Sequence, residues 1–273
     1  MAQLDGRRGE ADEDQPAQRL RVRLVQRASS REPAENLAAL EEVGALPSEA
    51  DLVVLPEAFA RDFGEPGSAL GPFAQPLAGA FPSRLRELSA ASGAAWLAGM
   101  FEIAEDPARP LNTLVLADGD RLTAYRKIHL YDSFGFKESE TVSPGRVEPV
   151  LASVRGFPLG LMTCYDLRFP ELARALVEQG AEALVVPAAW VAGERKVEHW
   201  RTLLRARAIE NTVWVIGVGQ PGPRYTGHSL VVAPDGDVVV EAGVGEAVLE
   251  AVIDRASVAD VRRTNPSLAN RRM

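Results

Sequence analysis

With 38 acidic and 30 basic side chains in 273 residues, the chain has a net charge of −8, which argues against nucleic acid or an anionic membrane as a partner. A composition of 46% hydrophobic and 25% charged residues is that of a soluble globular protein, and no apolar run approaches the roughly 20 residues that span a bilayer. One cysteine cannot close an internal disulfide, so a reducing, cytoplasmic compartment is the simplest setting.

Residues 1–19 mix Asp, Glu, Arg and Gln with almost nothing to bury. They lack an apolar signal-peptide core and are expected to be a disordered lead-in to a single domain over residues 20–273. Residues 20–26 alternate apolar and polar side chains, the pattern of a strand with one buried face. Leu37, Leu40 and Val43 predict a short amphipathic helix closed by Gly44. Residues 51–56 are a compact apolar run ending at Pro56, a buried strand, and Glu57 follows at once. A carboxylate there is either a helix-cap group or a site residue. Residues 63–79, rich in Gly and Pro, predict an irregular loop. Pro82 opens a helix carrying Leu85, Leu88 and Ala91, stopped by Gly93.

Strands are predicted at residues 94–103 and 111–117, with Asp118-Gly119-Asp120 turning into a partner at 121–127. Lys127 thus ends a strand, where a lysine is commonly just solvated. A loop over 131–146 follows.

The apolar run Pro158-Leu159-Gly160-Leu161-Met162 reads as a buried strand, and Pro170 suits the first position of a helix that Gly180 stops. Cys164 falls at the join. There a side chain and free backbone N–H groups can face one small volume, which suits a nucleophile with an oxyanion site; a buried structural cysteine is the other reading. Further on, residues 181–187 and 213–218 predict strands around a helix at 198–211. Asp235-Gly236 turns a hairpin between 229–232 and 238–241, and 249–253 is the last strand. The tail, 262–273, carries four arginines and is expected on a surface or against a neighbouring subunit. Strand and helix alternate with hairpins inserted, which implies an α/β layered domain and not a purely parallel sheet.

Glu57, Lys127 and Cys164 each sit just past a short apolar strand, and these residue types can supply a base, a cation and a nucleophile. A cysteine at its ordinary pKa is only a few per cent thiolate at neutral pH, so a base beside it helps. Three motifs carry a resemblance: Leu55-Pro56-Glu57, Tyr125-Arg126-Lys127-Ile128-His129-Leu130, and Thr163-Cys164-Tyr165-Asp166-Leu167-Arg168-Phe169-Pro170-Glu171. In order and separation they resemble the Glu-Lys-Cys motifs of the nitrilase superfamily, the carbon–nitrogen hydrolases. Val186-Pro187-Ala188-Ala189-Trp190, His199-Trp200, residues 205–211 and Gly227-His228-Ser229 extend the likeness from about Val22 to the C-terminus.

The resemblance implies a four-layer α-β-β-α sandwich, paired as a homodimer or higher oligomer. It also implies amide hydrolysis with no metal or organic cofactor. Glu57 would accept the thiol proton of Cys164, and Lys127 with the Tyr165 backbone N–H would hold the oxyanion. Glu138 matches a second glutamate of amidase members and is expected to orient Lys127 or the substrate. Trp190 is expected to line the substrate site. An arginine fork binds carboxylates through two parallel hydrogen bonds, so Arg168, four positions after Cys164, is expected to hold a substrate carboxylate, with an ion pair to a nearby acid as the alternative. The flanks most resemble the omega-amidase and deaminated-glutathione-amidase branch, which acts on amides of 2-oxo acids. The small-molecule substrate is therefore expected to be an ω-amide of a small dicarboxylic or 2-oxo acid. Alternatives are an N-carbamoyl amide, a nitrile, or a catalytically silent binding member of the same fold. A papain-like pair with His129, His199 or His228 is the rival mechanism.

Overall fold

The computed structural model describes residues 18–272, and in it the chain builds two six-stranded sheets. The first part runs β1 (Arg19–Gln26), α1 (Pro33–Gly44), β2 (Leu52–Val54), α2 (Ala80–Ser92), β3 (Ala95–Glu102), β4 (Leu111–Asp118) and β5 (Arg121–Arg126). A small hairpin of β6 (Asp132–Ser133) and β7 (Phe136–Lys137) leads to β8 (Leu151–Val154), β9 (Phe157–Leu161), α3 (Pro170–Glu178) and β10 (Ala183–Ala188). Then follow α4 (Lys196–Asn211), β11 (Trp214–Gly219), β12 (Leu230–Val232), β13 (Val238–Glu241), β14 (Ala247–Asp254) and α5 (Arg255–Thr264).

The first sheet is ordered β14-β1-β2-β3-β4-β5 and the second β13-β12-β11-β10-β9-β8. In each, three central strands are parallel, β1-β2-β3 and β9-β10-β11, and a helix spans every parallel step. The period of two along a strand then decides the layers. Leu52 and Val54 of β2 point into the core shared with the second sheet. Val53 and Leu55 point the other way, against Leu40 of α1 and Leu85 and Leu88 of α2. On the far side, Leu172 and Leu176 of α3 and Trp200 and Leu204 of α4 cover the second sheet. This is the expected α-β-β-α sandwich.

Several boundaries differ from the expectation. Residues 1–17 of the expected lead-in lie outside the described residues, and Arg19 already pairs with Asp254 as the first residue of β1. The expected tail at 262–273 begins inside α5, whose first turn is capped by the Asp254 carboxylate accepting the Ser257 N–H at 2.7 Å. That segment is tied to its own chain: Arg262 Nε bonds Thr212 Oγ1 at 3.2 Å, Arg271 pairs with Glu178, and Leu268 packs on the core.

One glycine is required by a close approach. A Cβ on Gly99 of β3 would sit 2.4 Å from the Ala58 nitrogen and 2.8 Å from the Glu57 Cα, so only glycine lets β3 lie against that turn. Gly99→Ala should therefore destabilise the protein by about 1–3 kcal/mol, the usual result of overpacking. Urea unfolding measures this.

Candidate active site

Strand direction brings the site together. Glu57 follows the C-terminal end of β2 and Lys127 that of β5, which is parallel to β2 through two antiparallel steps. Asn112, near the start of the antiparallel β4, reaches the same edge of the first sheet. In the second sheet Cys164 follows β9 and Ala189 follows its parallel neighbour β10. The two edges meet at one place.

There Lys127, only 2% exposed, lies between two carboxylates. Its Nζ is 2.9 Å from Glu57 Oε1, and 3.1 and 2.8 Å from the two oxygens of Glu138. Asn112 Nδ2 donates to both, at 2.7 Å to Glu57 Oε1 and 3.1 Å to Glu138 Oε1. The remaining oxygens are also occupied: Glu57 Oε2 accepts the Ala189 N–H at 2.7 Å, and Glu138 Oε2 the Tyr131 N–H at 2.7 Å. Glu57 is thus a site residue and not a helix cap. Burial alone would lower the Lys127 pKa, but Glu138 and Glu57 outweigh it and hold it well above the usual lysine range. The ammonium stays charged.

Cys164 opens a 3₁₀ turn, Cys164–Arg168, with φ at +47°, a left-handed conformation that a non-glycine residue keeps only when its surroundings impose it. Asp166 imposes it. Fully buried, its carboxylate accepts the Thr163 N–H at 2.9 Å, the His129 N–H at 3.0 Å and the Tyr125 hydroxyl at 2.6 Å, with His129 Nδ1 at 2.8 Å. Arg207 holds the far side of the turn through Nε and Nη2 to the Leu167 carbonyl, at 3.1 and 2.8 Å. The Tyr165 N–H, in the first turn, donates to no protein acceptor among the described residues. Burial pushes the Cys164 thiol well up, and the charge of Glu57 adds to this while Lys127 opposes it. The resting thiol is protonated.

These groups form the floor of a cavity of about 660 Å³. Cys164, Glu57, Lys127, Glu138, Tyr165 and Trp190 all line it, with Phe63 and Pro66 from the Gly/Pro-rich loop and Tyr131, Phe134 and Phe136 from the β6-β7 hairpin. Arg168 does not. Its half-buried guanidinium stands 5.1 Å from the Trp190 ring centre, 6.0 Å from that of Tyr165 and 5.9 Å from that of Phe134, with Nη2 3.4 Å from His199 Nδ1, all four of them lining residues. It forms no ion pair among the described residues, so the alternative of a structural acid partner is not seen there.

Of the histidines only His199 lines the cavity. His129 stacks on Phe169 with 3.8 Å between ring centres, and His228 lies 3.0 Å from Glu241. Among the described residues no three His, Cys, Asp or Glu side chains converge to hold a metal ion. Two site groups escaped sequence reasoning. Asn112 had a usable signal, a polar side chain inside the apolar run Leu111 to Ala117. Lys196, which also lines the cavity, stands in the charged stretch Glu194-Arg195-Lys196 and reads there as solvated.

A thiol, a carboxylate and a buried ammonium at the floor of an aromatic-walled cavity are the parts of a hydrolase. The chain matches the carbon-nitrogen hydrolase family over residues 21–263, and it belongs to that family. It is 41% identical over 227 residues to a deaminated glutathione amidase of Escherichia coli O157:H7, covering 82% of this chain and 86% of that one. It is 33% identical over 235 residues to an omega-amidase of Xenopus tropicalis, covering 82% and 83% respectively. Among solved structures it superposes with a TM-score of 0.75 and 30% identity on an amidase from Nesterenkonia, over 92% of this chain and 97% of that one. That amidase, in a mutant form, carries the acetamide moiety of fluoroacetamide covalently at its active-site cysteine.

The electrostatics predict opposite effects of one substitution. Glu57→Gln removes a charge that raises the Cys164 pKa, so iodoacetamide should alkylate the variant faster than wild type at pH 8. Amide hydrolysis by the same variant should fall by roughly 10²–10⁴, the usual contribution of a general base. Slower alkylation in the variant would contradict the assigned charge state.

Proposed function

We propose that the protein hydrolyses the ω-amide of a small dicarboxylic or 2-oxo acid through a thioester on Cys164. One observation carries the reading: the thiol, Glu57 and Lys127 share a single buried cluster at the floor of one cavity. Because the thiol rests protonated, its proton passes to Glu57 as Sγ attacks the amide carbonyl carbon. The carbonyl oxygen becomes an oxyanion held by the Lys127 ammonium and the Tyr165 N–H. Collapse breaks the C–N bond, Glu57 gives its proton to the departing nitrogen, and the acyl group remains as a thioester. Water, deprotonated by Glu57, then attacks that carbonyl, the Cys164 sulfur leaves and is reprotonated, and the acid is released. Glu138 acts by fixing Lys127, whose Nζ it holds with both oxygens.

The relatives support the substrate class, one being named for deaminated glutathione and another an omega-amidase. A cavity of about 660 Å³ has room for an amine larger than ammonia on the leaving side, as an amide of the first kind requires. The lone cysteine, and the absence among the described residues of a helix long and apolar enough to cross a membrane, support a cytoplasmic enzyme. The assembly that goes with this reading is a homodimer, and sedimentation should give twice the 29.4 kDa chain mass.

The test is release of amine from deaminated glutathione, α-ketoglutaramate and succinamate by wild type and Cys164→Ala. Turnover should vanish in the variant, and wild type quenched with acid should carry an acyl group on Cys164 by mass spectrometry. Activity that survives in Cys164→Ala would sink the mechanism. Weakening one oxyanion contact should cost about 3–4 kcal/mol of transition-state stabilisation, so Lys127→Met should lose at least roughly 10²-fold in kcat.

A further inference from the structure

Four cations line the cavity wall, and three of them are neutralised by carboxylates. Lys127 lies between Glu57 and Glu138, Arg195 is 3.0 Å from Glu198, and Arg224 is 3.3 Å from Asp62. Lys196 is the exception. It is only 8% exposed, and among the described residues no carboxylate lies within ion-pair distance of its Nζ. An ammonium has three donors, and this one gives a single hydrogen bond, to the Tyr131 hydroxyl at 3.0 Å. Its other neighbours are aromatic faces, with Nζ 3.8 Å from the Phe134 ring centre and 5.8 Å from that of Trp190. Arg168, its guanidinium 5.1 Å from the Trp190 ring centre, is a second cation without an acid partner among the described residues and adds positive potential at the same end. The first residues of α4 open onto this space too, so the positive end of a sixteen-residue helix faces it. Burying a cation without a counter-charge is unfavourable, and burial together with Arg168 holds the Lys196 pKa below the usual lysine range. The carboxylates on the wall are Glu57 and Glu138, both engaged by Lys127, and Glu194 on the exposed rim.

We infer that Lys196 is the specificity-determining residue of this site and that it binds the carboxylate at the far end of the substrate's acyl chain, with Arg168 reinforcing it from beside Trp190. The inference rests on the reading of the cavity as an amide-hydrolysing site. It adds a residue of α4 to the carboxylate contact expected of Arg168 and gives the aromatic groups a role, since they keep water from a charge pair that forms only when substrate enters. A charge-assisted hydrogen bond of this kind contributes about 1.5–3 kcal/mol, or roughly ten- to a hundredfold in affinity.

The test compares two pairs of amides that differ by a carboxylate in place of a methyl group, succinamate with butanamide and glutaramate with pentanamide. Wild type should prefer the acid of at least one pair, and in Lys196→Met that preference in kcat/KM should fall at least tenfold, mainly through KM. Lys196→Arg should restore part of it. Independently of turnover, succinate and glutarate should protect Cys164 from iodoacetamide in wild type, with half-protection needing at least tenfold more diacid in Lys196→Met. Thermal melting of each variant establishes that it folds. An unchanged acid-to-neutral preference, or unchanged diacid protection, in a folded Lys196→Met would overturn the inference. If wild type cleaves no amide, the proposed activity fails, and the protection experiment alone decides the role of Lys196.

Discussion

One buried ammonium between two carboxylates sets the constraint on which the rest of the site depends. Taking Lys127, Glu57 and Glu138 out of water is expensive, and only good geometry with hydrogen bonds to all four carboxylate oxygens offsets it. The fold meets that demand from both sheets. Lys127, Glu57 and Asn112 come from the first, while the Ala189 N–H comes from the second. Gln220, just past β11, donates to the Glu57 carbonyl at 2.9 Å. The polar cluster therefore ties the two sheets together as well as holding a charge at the reacting centre. No member can move without stranding another, which is how a site placed at sheet edges becomes rigid enough for chemistry.

The cysteine is controlled differently. Its position comes from the Asp166 carboxylate, which gathers two backbone N–H groups and a tyrosine hydroxyl and so holds the chain in a left-handed turn at residue 164. Its protonation state comes from burial and from Glu57. These two controls suit a nucleophile that is presented rigidly but released only when a base takes its proton. A thiol kept neutral at rest also adds no third negative charge to a cluster that already holds two carboxylates and one ammonium.

Much of this was legible in the chain. Short apolar runs ending in Pro56 and Met162 marked two buried strands and the turn at Gly119 a hairpin strand ending before Lys127, and the polar residues just past these ends were a fair guide to the site because strand ends are where side chains leave the core. What was not legible had weak local signals. The helix α5 buries only Val258 against the core and carries three arginines, so its periodicity is faint. The strand β8 is four residues long and only two of them are buried. The direction of the Arg168 side chain was not legible, because spacing along the chain does not tell which way a side chain points once a 3₁₀ turn intervenes.

By itself the sequence determined the alternating strands and helices and the layered α/β class, and through motifs resembling those of the carbon–nitrogen hydrolases it singled out Glu57, Lys127, Cys164 and Glu138 as candidates. These are properties of local pattern and residue type. Only the tertiary structure decided that Asn112 bridges two carboxylates, that Asp166 holds the cysteine turn, and that Lys196 lines the cavity. Those facts depend on which edges of two sheets meet and on which charges find partners across them. Burial and pairing are set by residues far apart in the chain, so no local stretch contains them.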